Sequence, residues 1–130
     1  MFQSRKLDDL DSRLKPIVFE LLSRCIEVQI PLLIYGTLRD KEQQKHNIEM
    51  KVSWTMNSKH LPQSPEGKSL AIDIVPFEIF QLHGPDKLNW NEKDPVWKKI
   101  GAIGESLGLK WGVIIKGQRK DLGHFEYKGI

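Results

Sequence analysis

The sequence predicts an α+β fold, a single small domain in which helices pack on an antiparallel sheet. Helical spacing of apolar residues marks the front of the chain, strand-like segments become frequent toward the back, and one well-delimited helix lies between those strands. With 130 residues, of which 39% are hydrophobic, the chain has enough apolar side chains for one core. We therefore expect one domain over residues 1–130.

The first helix is predicted between Leu7 and Cys25, where apolar residues recur at steps of three and four. Pro16 marks either the true start of that helix or a kink within it. The apolar run from Leu32 to Tyr35 predicts a buried strand, and the stretch "LRDKEQQKHNIEM" that follows predicts a polar helix.

A long loop is predicted from Lys51 to Lys68, because its apolar residues show no helical period and two prolines and a glycine interrupt it. The run "LAIDIVP" then predicts a strand. Because alternate residues of a strand share a face, Asp73 lies on the face opposite to Ile72 and Ile74.

The best-delimited helix follows Asp94 and Pro95, an N-cap residue and a first-turn proline, and continues to Gly108. After it, "LKWGVII" and "GHFEYKG" predict two antiparallel strands joined by the polar loop "KGQRKDL". Strand alternation places His124 and Glu126 on one face.

Composition excludes several classes of function. Twenty basic and seventeen acidic residues alternate in sign and give a pI near 9.0, which suits an anionic partner such as a wall polymer or nucleic acid. Cys25 is the only cysteine, so no intramolecular disulfide or thiolate metal cluster can form, and its place on the apolar helical face predicts a buried, inert thiol. Neither GxxxxGK[ST] nor GxGxxG occurs, which argues against nucleotide hydrolysis and dinucleotide chemistry.

The N-terminal stretch "MFQSRKLDDLDSRLKP" does not have the pattern of a secretory signal, and no apolar window reaches membrane-spanning length. We therefore expect synthesis in the cytoplasm without a signal peptide and no stable membrane association. Activity outside the cytoplasm would then require release by another component.

Asp73 raises the question of function, because an ionised carboxylate in an apolar strand is costly unless something pairs with it. The partner can be an Arg or Lys, a ring of backbone donors, or a metal that also binds His60. Three ligands from His and carboxylate side chains, with a fourth position left to water, are what a catalytic zinc needs. His60, Asp73 and His124 would form that set.

A metal site that activates water for hydrolysis also needs a proton acceptor. Asp121, three positions before His124, is the candidate general base, and Glu126 is its rival or else a partner of His124. Simpler interpretations remain open for the ligands: a solvated loop histidine at His60, an arginine partner at Asp73, and a strand histidine bonded to a carbonyl at position 124.

Taken together, these motifs resemble the zinc peptidases that cut bacterial cell-wall stem peptides, a family of D-Ala-D-Ala carboxypeptidases, D,D-dipeptidases and phage L-alanyl-D-glutamate endopeptidases. "YGTLRDKEQQ" is similar to the family's strand-to-helix turn, "SKH" with "AID" to its first two zinc ligands, and "DLGHFEY" to its base-x-x-His ending. "TMNSKHL" and the short chain are closest to phage endolysins of the L-alanyl-D-glutamate type. The resemblance implies the D-Ala-D-Ala peptidase (hedgehog-like) fold and no separate wall-binding domain.

The resemblance also implies roles for individual residues. His60, Asp73 and His124 would bind zinc (Zn2+), Asp121 would be the base, and Arg39 would stabilise the developing oxyanion. The alternative for Arg39 is a surface helix residue paired with a neighbouring glutamate.

Two residues of the loop are candidates for substrate binding. Ser58 matches a family serine two positions before the first ligand, where its hydroxyl would orient a ligand or contact substrate. Trp54 is a candidate substrate contact beside the site, whereas the remaining tryptophans are assigned to packing, namely Trp90, Trp97 and Trp111.

The sequence departs from the family pattern in two ways. Thirteen positions separate His60 from Asp73, longer than in the short form of the motif, and Ser69 and Leu70 stand where a Gly-His pair is common. The extra residues form "PQSPEGK", a polar insertion that need not move the ligands. We expect that insertion, residues 62–68, to border the cleft.

These observations predict a monomeric zinc endopeptidase of a phage or prophage lysis cassette, with the peptidoglycan stem peptide as its partner and the L-Ala-D-Glu bond as its target. One alternative is a D,D-carboxypeptidase or dipeptidase acting on terminal D-Ala-D-Ala. A small basic nucleic-acid-binding domain and an inactive metal-containing binding module are the others, although we expect no nucleic-acid partner.

Overall fold

The computed structural model describes residues 2–51, 53, 56–78 and 87–129. Within these ranges, a 3-10 turn at Leu7–Asp9 precedes α1 (Lys15–Glu27), β1 (Leu32–Gly36), α2 (Lys41–Glu49), β2 (Ala71–Glu78), β3 (Lys87–Leu88), α3 (Val96–Ser106), β4 (Leu109–Ile115) and β5 (Gln118–Tyr127). The predicted α+β class is confirmed. No helix in the described ranges has the length and apolar character needed to cross a membrane.

The strands form one antiparallel sheet in the order β1-β2-β5-β4, with the short β3 paired to β2. The register between β2 and β5 places Ile72 opposite Phe125 and Asp73 opposite His124. Two of the predicted ligands are therefore neighbours across the centre of the sheet.

One face of the sheet carries the hydrophobic core, against which α1 and α3 pack. The fully buried side chains of this core include Leu14, Val18, Leu21, Cys25, Ile72, Ile100, Leu109 and Phe125. Burial raises the pKa of the Cys25 thiol to about 11, as expected for an inert core cysteine.

Helix α3 approaches the sheet so closely that a side chain at either of two glycine positions would overlap an aromatic ring. A Cβ at Gly101 would lie 2.3 Å from the ring of Trp111, and one at Gly104 would lie 2.3 Å from the ring of Phe125. Because Phe125 follows His124 directly, this packing also fixes the segment of β5 that carries a predicted ligand.

Aspartate side chains cap the starts of α2 and α3, at Asp40, which the sequence did not single out, and at Asp94, which was predicted. At α2, Asp40 Oδ1 accepts a hydrogen bond from the Gln43 N–H at 2.7 Å, and before α3 Asp94 Oδ1 accepts one from Val96 at 2.9 Å. Beyond α3, Gly108 adopts a φ of 87°, which turns the chain into β4.

The predicted first helix is wrong in its first half. After the 3-10 turn, Leu10 pairs with Ser69 in an isolated bridge, and the α-helix begins only at Lys15, with Pro16 in its first turn. Pro16 is thus a true helix start. The apolar spacing predicted a helix that is too long, because Leu10 and Leu14 lie in an irregular segment but pack into the same core as the helix.

The predicted loop between the last two strands is also wrong. Lys116 and Gly117, with φ values of 52° and 76°, make a tight turn, and β5 begins at Gln118. What interrupts the pairing is a bulge further along: Trp111 pairs with Phe125 but Val113 pairs with Lys120. Residues 121–124 thus arch away from β4.

The insertion at residues 62–68 lies outside the main cleft, although Gln63 Nε2 donates to the carbonyl oxygen of Ser58 at 3.3 Å. Arg13 donates to the carbonyl oxygen of Ser64 at 3.0 Å, and the Ser12 hydroxyl binds the carboxylate of Glu66. None of residues 62–68 lines the main cleft, so the expectation that they border it is wrong. The insertion packs against the segment before α1.

Candidate metal centre

The three predicted ligands converge on the face of the sheet opposite to the core. His60 comes from the loop before β2, Asp73 from β2 and His124 from β5. His60 Nε2 lies 3.2 Å from Asp73 Oδ1, Asp73 Oδ1 lies 3.1 Å from His124 Nδ1, and the two imidazole nitrogens are 3.3 Å apart. Both histidines are buried. We call these three side chains the ligand triangle.

Hydrogen bonds on the far side of each imidazole determine which nitrogen faces the triangle. His60 Nδ1 lies 2.6 Å from the carbonyl oxygen of Thr37, and His124 Nε2 lies 2.9 Å from Glu126 Oε1. Carbonyl and ionised carboxylate oxygens only accept hydrogen bonds, so in a neutral imidazole these outer nitrogens carry the proton. The inner nitrogens of His60 and His124 then present lone pairs, as Asp73 Oδ1 does.

Three lone pairs aimed at one another repel unless a cation lies between them. Around a tetrahedral zinc with bonds near 2.0–2.1 Å, neighbouring ligand atoms are about 3.3 Å apart, close to the 3.1–3.3 Å sides of the ligand triangle. The group can hold a metal ion. Two imidazoles and one carboxylate suit first-row metals, zinc among them.

The charges of the site also favour a cation at its centre. Burial acts to raise the pKa of Asp73, but the adjacent His60 and His124 hold that pKa well below its ordinary value. Burial acts to lower the pKa of His124, but hydrogen bonds to Asp73 and Glu126 prevail and raise it to about 10. A positive charge, carried by a proton or by a metal, is therefore stabilised in this cluster.

The second carboxylate oxygen of Asp73 pairs with an arginine. Arg39 Nη2 donates to Asp73 Oδ2 at 2.6 Å, while its other nitrogens donate to Gln44 Oε1 at 2.9 Å and Gln3 Oε1 at 3.1 Å. Arg39 is 8% exposed, so its interpretation as a surface residue is wrong. Asp73 is thus held by an arginine on one side and faces the histidines on the other.

Asp121 lies beside the triangle, with its Oδ2 4.0 Å from His124 Nδ1. The bulge in β5 places Asp121 there. The backbone φ of Asp121 is 56°, a left-handed conformation that Asp tolerates better than most residues. Burial, together with the nearby Asp73 carboxylate, raises the pKa of Asp121 to about 6. A carboxylate with that pKa can both accept and return a proton near neutral pH.

Of the two predicted substrate-binding residues, one is described by the structure and one is not. Ser58 Oγ accepts a hydrogen bond from the His60 N–H at 3.1 Å and lines the cleft. Trp54 falls outside the described residues. The contacts that sequence reasoning missed are those of Thr37, Gln3 and Gln44, of which the first acts through a backbone carbonyl that no residue type reveals.

The triangle forms part of the wall of a cleft of about 740 Å³. Tyr35 and Trp90 line one part of it, and Lys59 and Lys110 also line it. Trp90 is 53% exposed, so its assignment to packing is wrong. For Trp97 and Trp111, which are buried, that assignment is confirmed.

Comparison with known proteins gives a family and structural neighbours. A family model described as phage L-alanyl-D-glutamate peptidase matches residues 1–122. Among solved structures, the chain is similar to the L-Ala D-Glu endopeptidase ChiX of Serratia marcescens, with 20% sequence identity, a TM-score of 0.64, and coverage of 98% of this chain and 89% of that chain. The search of curated proteins finds no match. At this identity the structural similarity shows the fold, which agrees with the predicted one.

Proposed function

We propose that this chain, which belongs to the phage L-alanyl-D-glutamate peptidase family, is a zinc metallopeptidase that hydrolyses the L-Ala-D-Glu bond of the peptidoglycan stem peptide. The observation that carries the proposal is the ligand triangle, in which three lone-pair atoms lie 3.1–3.3 Å apart. The family description favours L-Ala-D-Glu over the D-Ala-D-Ala alternative.

His60 Nε2, Asp73 Oδ1 and His124 Nδ1 would hold the zinc. A zinc with three protein ligands and an open fourth position acidifies water and polarises a carbonyl. Thr37 and Glu126 orient the two imidazoles, and Arg39 orients the carboxylate of Asp73.

Asp121 is the proposed general base. Its carboxylate accepts a proton from the attacking water and then donates that proton to the amine of D-Glu as the peptide bond breaks. With a pKa of about 6, Asp121 is mostly ionised at neutral pH and ready for the first of these transfers.

Arg39 is proposed to have a second role at the same site. A guanidinium has five N–H donors. Three of them are used within the protein, one each for Gln3, Gln44 and Asp73. The remaining donors would stabilise the negative charge that develops on the scissile carbonyl oxygen. Ser58 positions the backbone of His60, and Trp54 remains a proposed substrate contact.

The proposal extends to the setting in which the chain works. It would act as a monomeric domain over residues 1–130 on peptidoglycan, without a nucleic-acid partner or stable membrane association. In a phage lysis cassette the protein would be made in the host cytoplasm and reach the wall after release.

The test is digestion of purified peptidoglycan followed by mass spectrometry of the soluble products. We expect fragments that begin with D-Glu, their loss on addition of a chelator, and their recovery with zinc, whereas His60→Ala should yield none. Release of D-Ala alone would favour the carboxypeptidase alternative. Salt-sensitive DNA binding without hydrolysis would favour the nucleic-acid-binding alternative.

A further inference from the structure

The cleft has chemically different ends on the two sides of the ligand triangle. Tyr35 belongs to β1 at one edge of the sheet and Lys110 to β4 at the other, with Asp73 and His124 on the two strands between them. Neighbouring strands are about 4.8 Å apart. A substrate that crosses the strands at the metal centre therefore meets an aromatic group about one strand away on one side. On the other side it meets a cation one strand across and two residues further along, because Lys110 lies opposite Glu126, roughly 7 Å along β5 from His124.

The aromatic end consists of Tyr35 and Trp90. Their ring centroids are 5.3 Å apart at an interplanar angle of 80°, and the guanidinium of Arg5 lies 5.4 Å from the centre of the Tyr35 ring. Despite these contacts Trp90 is 53% exposed and Tyr35 39% exposed, and both line the cleft. Rigid, exposed aromatic rings of this kind suit the apolar face of a sugar ring.

The cationic end consists of Lys59 and Lys110. Lys110 lies opposite Glu126 in the register of β4 with β5, next to the ligand His124, and Lys59 directly precedes the ligand His60. Glu126 is itself bound to His124 at 2.9 Å. The Glu126 carboxylate is near enough to both lysines for their charges to help lower its pKa. Because Glu126 is already hydrogen-bonded to His124, the two ammonium groups can still bind a second anion in the cleft.

The stem peptide has the same asymmetry around its first peptide bond. The amine of L-Ala is joined to the lactyl group of N-acetylmuramic acid, so a sugar precedes the bond by one residue. D-Glu is linked onward through its γ-carboxyl group, which leaves a free α-carboxylate directly after the bond. One residue spans about 3.8 Å, comparable to the spacing between strands.

We propose that the two ends of the cleft fix the direction of the substrate, with the muramyl sugar on Tyr35 and Trp90 and the α-carboxylate of D-Glu bound by Lys110 and Lys59. This inference rests on the proposed function. It implies that substrates retaining the sugar are cleaved better than free peptides, and that D-Glu is preferred over its amide, D-isoglutamine.

The test uses four synthetic stem peptides, with or without N-acetylmuramic acid and with a D-Glu α-carboxylate or α-carboxamide. Trp90→Ala should reduce the preference in kcat/KM for sugar-bearing substrates by about tenfold, with part retained in Trp90→Phe. Lys110→Gln should reduce the preference for the carboxylate by about tenfold, and Lys59→Gln should reduce it further in the double variant. The controls are Phe19→Ala, an exposed aromatic on α1, and Lys98→Gln, an exposed lysine on α3, which should change neither preference.

Circular dichroism and zinc content confirm that each variant is folded. If Trp90→Ala and Lys110→Gln lower all four rates by one common factor, the residues do not read the substrate and the inference is wrong. If Trp90→Ala alters the preference for the carboxylate and Lys110→Gln alters the preference for the sugar, the proposed direction of the substrate is wrong. If the wild-type protein cleaves none of the four peptides, the proposed function fails and this inference fails with it.

Discussion

At the scale of single residues, the site depends on contacts behind the ligands as much as on the ligands. The convergence of His60, Asp73 and His124 was predictable because strand alternation places Asp73 and His124 on the face opposite to the core, and the motif similar to the family's first ligands adds His60. The contacts of Thr37, Gln44 and Gln3 were not predictable. Thr37 and Gln44 lie within the segment "YGTLRDKEQQ", but their partners depend on the folded backbone, and Gln3 lies 36 positions before Arg39. Residue types report chemistry, whereas such contacts depend on the folded backbone.

Asp121→Asn tests the proposed base. Asn has nearly the same size and also tolerates a positive φ, so the bulge should persist, but it cannot accept the proton. We expect wild-type zinc content and a loss of about a hundredfold or more in kcat on an L-Ala-D-Glu muropeptide. A rate within a few-fold of wild type would exclude Asp121 as the base, and loss of zinc would make it a ligand.

Arg39→Ala tests the contact between Arg39 and Asp73. Removal of the guanidinium frees Asp73 Oδ2, so we expect zinc affinity to fall by about 10–100-fold in addition to the loss of activity. Competition with a chromophoric chelator measures the affinity. Unchanged zinc affinity with a large loss in kcat would assign Arg39 to the oxyanion alone, and unchanged values of both would exclude any role in the site.

At the scale of elements, the chain order of helices and strands was predictable, and the irregular segments were not. A periodic apolar pattern shows that residues enter a core but does not distinguish a helix from a segment that enters it irregularly, as at Leu10 and Leu14. The sequence also did not predict the bulge at Gly112 and Asp121. Its polar residues favour a loop, although the pairing of β4 with β5 continues on both sides of it.

Gly104→Ala tests the close packing of α3 on β5. Alanine gains about 1 kcal/mol in helix propensity over glycine, but its Cβ would overlap the Phe125 ring, and overpacking typically costs about 1–3 kcal/mol. Because the Cβ would lie only 2.3 Å from a ring atom, the cost belongs at the upper end of that range, and we expect a net loss of about 2 kcal/mol in the free energy of unfolding, measured with urea. Lys98→Ala, at an exposed position of the same helix, is the control and should change stability little; equal stability of both variants would contradict the observed packing.

At the scale of the whole molecule, the fold brings a loop and two strands together around one charge centre. The α+β class and the family were predictable because the motifs occur in the right order over most of the chain. The course of the insertion at residues 62–68 was not, since it depends on Arg13 and Ser12, which lie about fifty positions earlier in the sequence.

Zinc should stabilise the folded chain, because the unfolded chain does not hold the three ligands together. At a free zinc concentration a hundred times the Kd, the gain is about 2.7 kcal/mol, which should raise Tm by several degrees in differential scanning calorimetry. Asp73→Ala should remove this increase. An equal increase in that variant would show that zinc binds elsewhere.

The most direct test of the proposed metal centre is an anomalous difference map, measured at the zinc absorption edge from a crystal grown with one equivalent of zinc. We expect one strong peak about 2.0–2.2 Å from His60 Nε2, Asp73 Oδ1 and His124 Nδ1. A map without a peak at these three atoms, or with its main peak on other side chains, would contradict the assignment of the site.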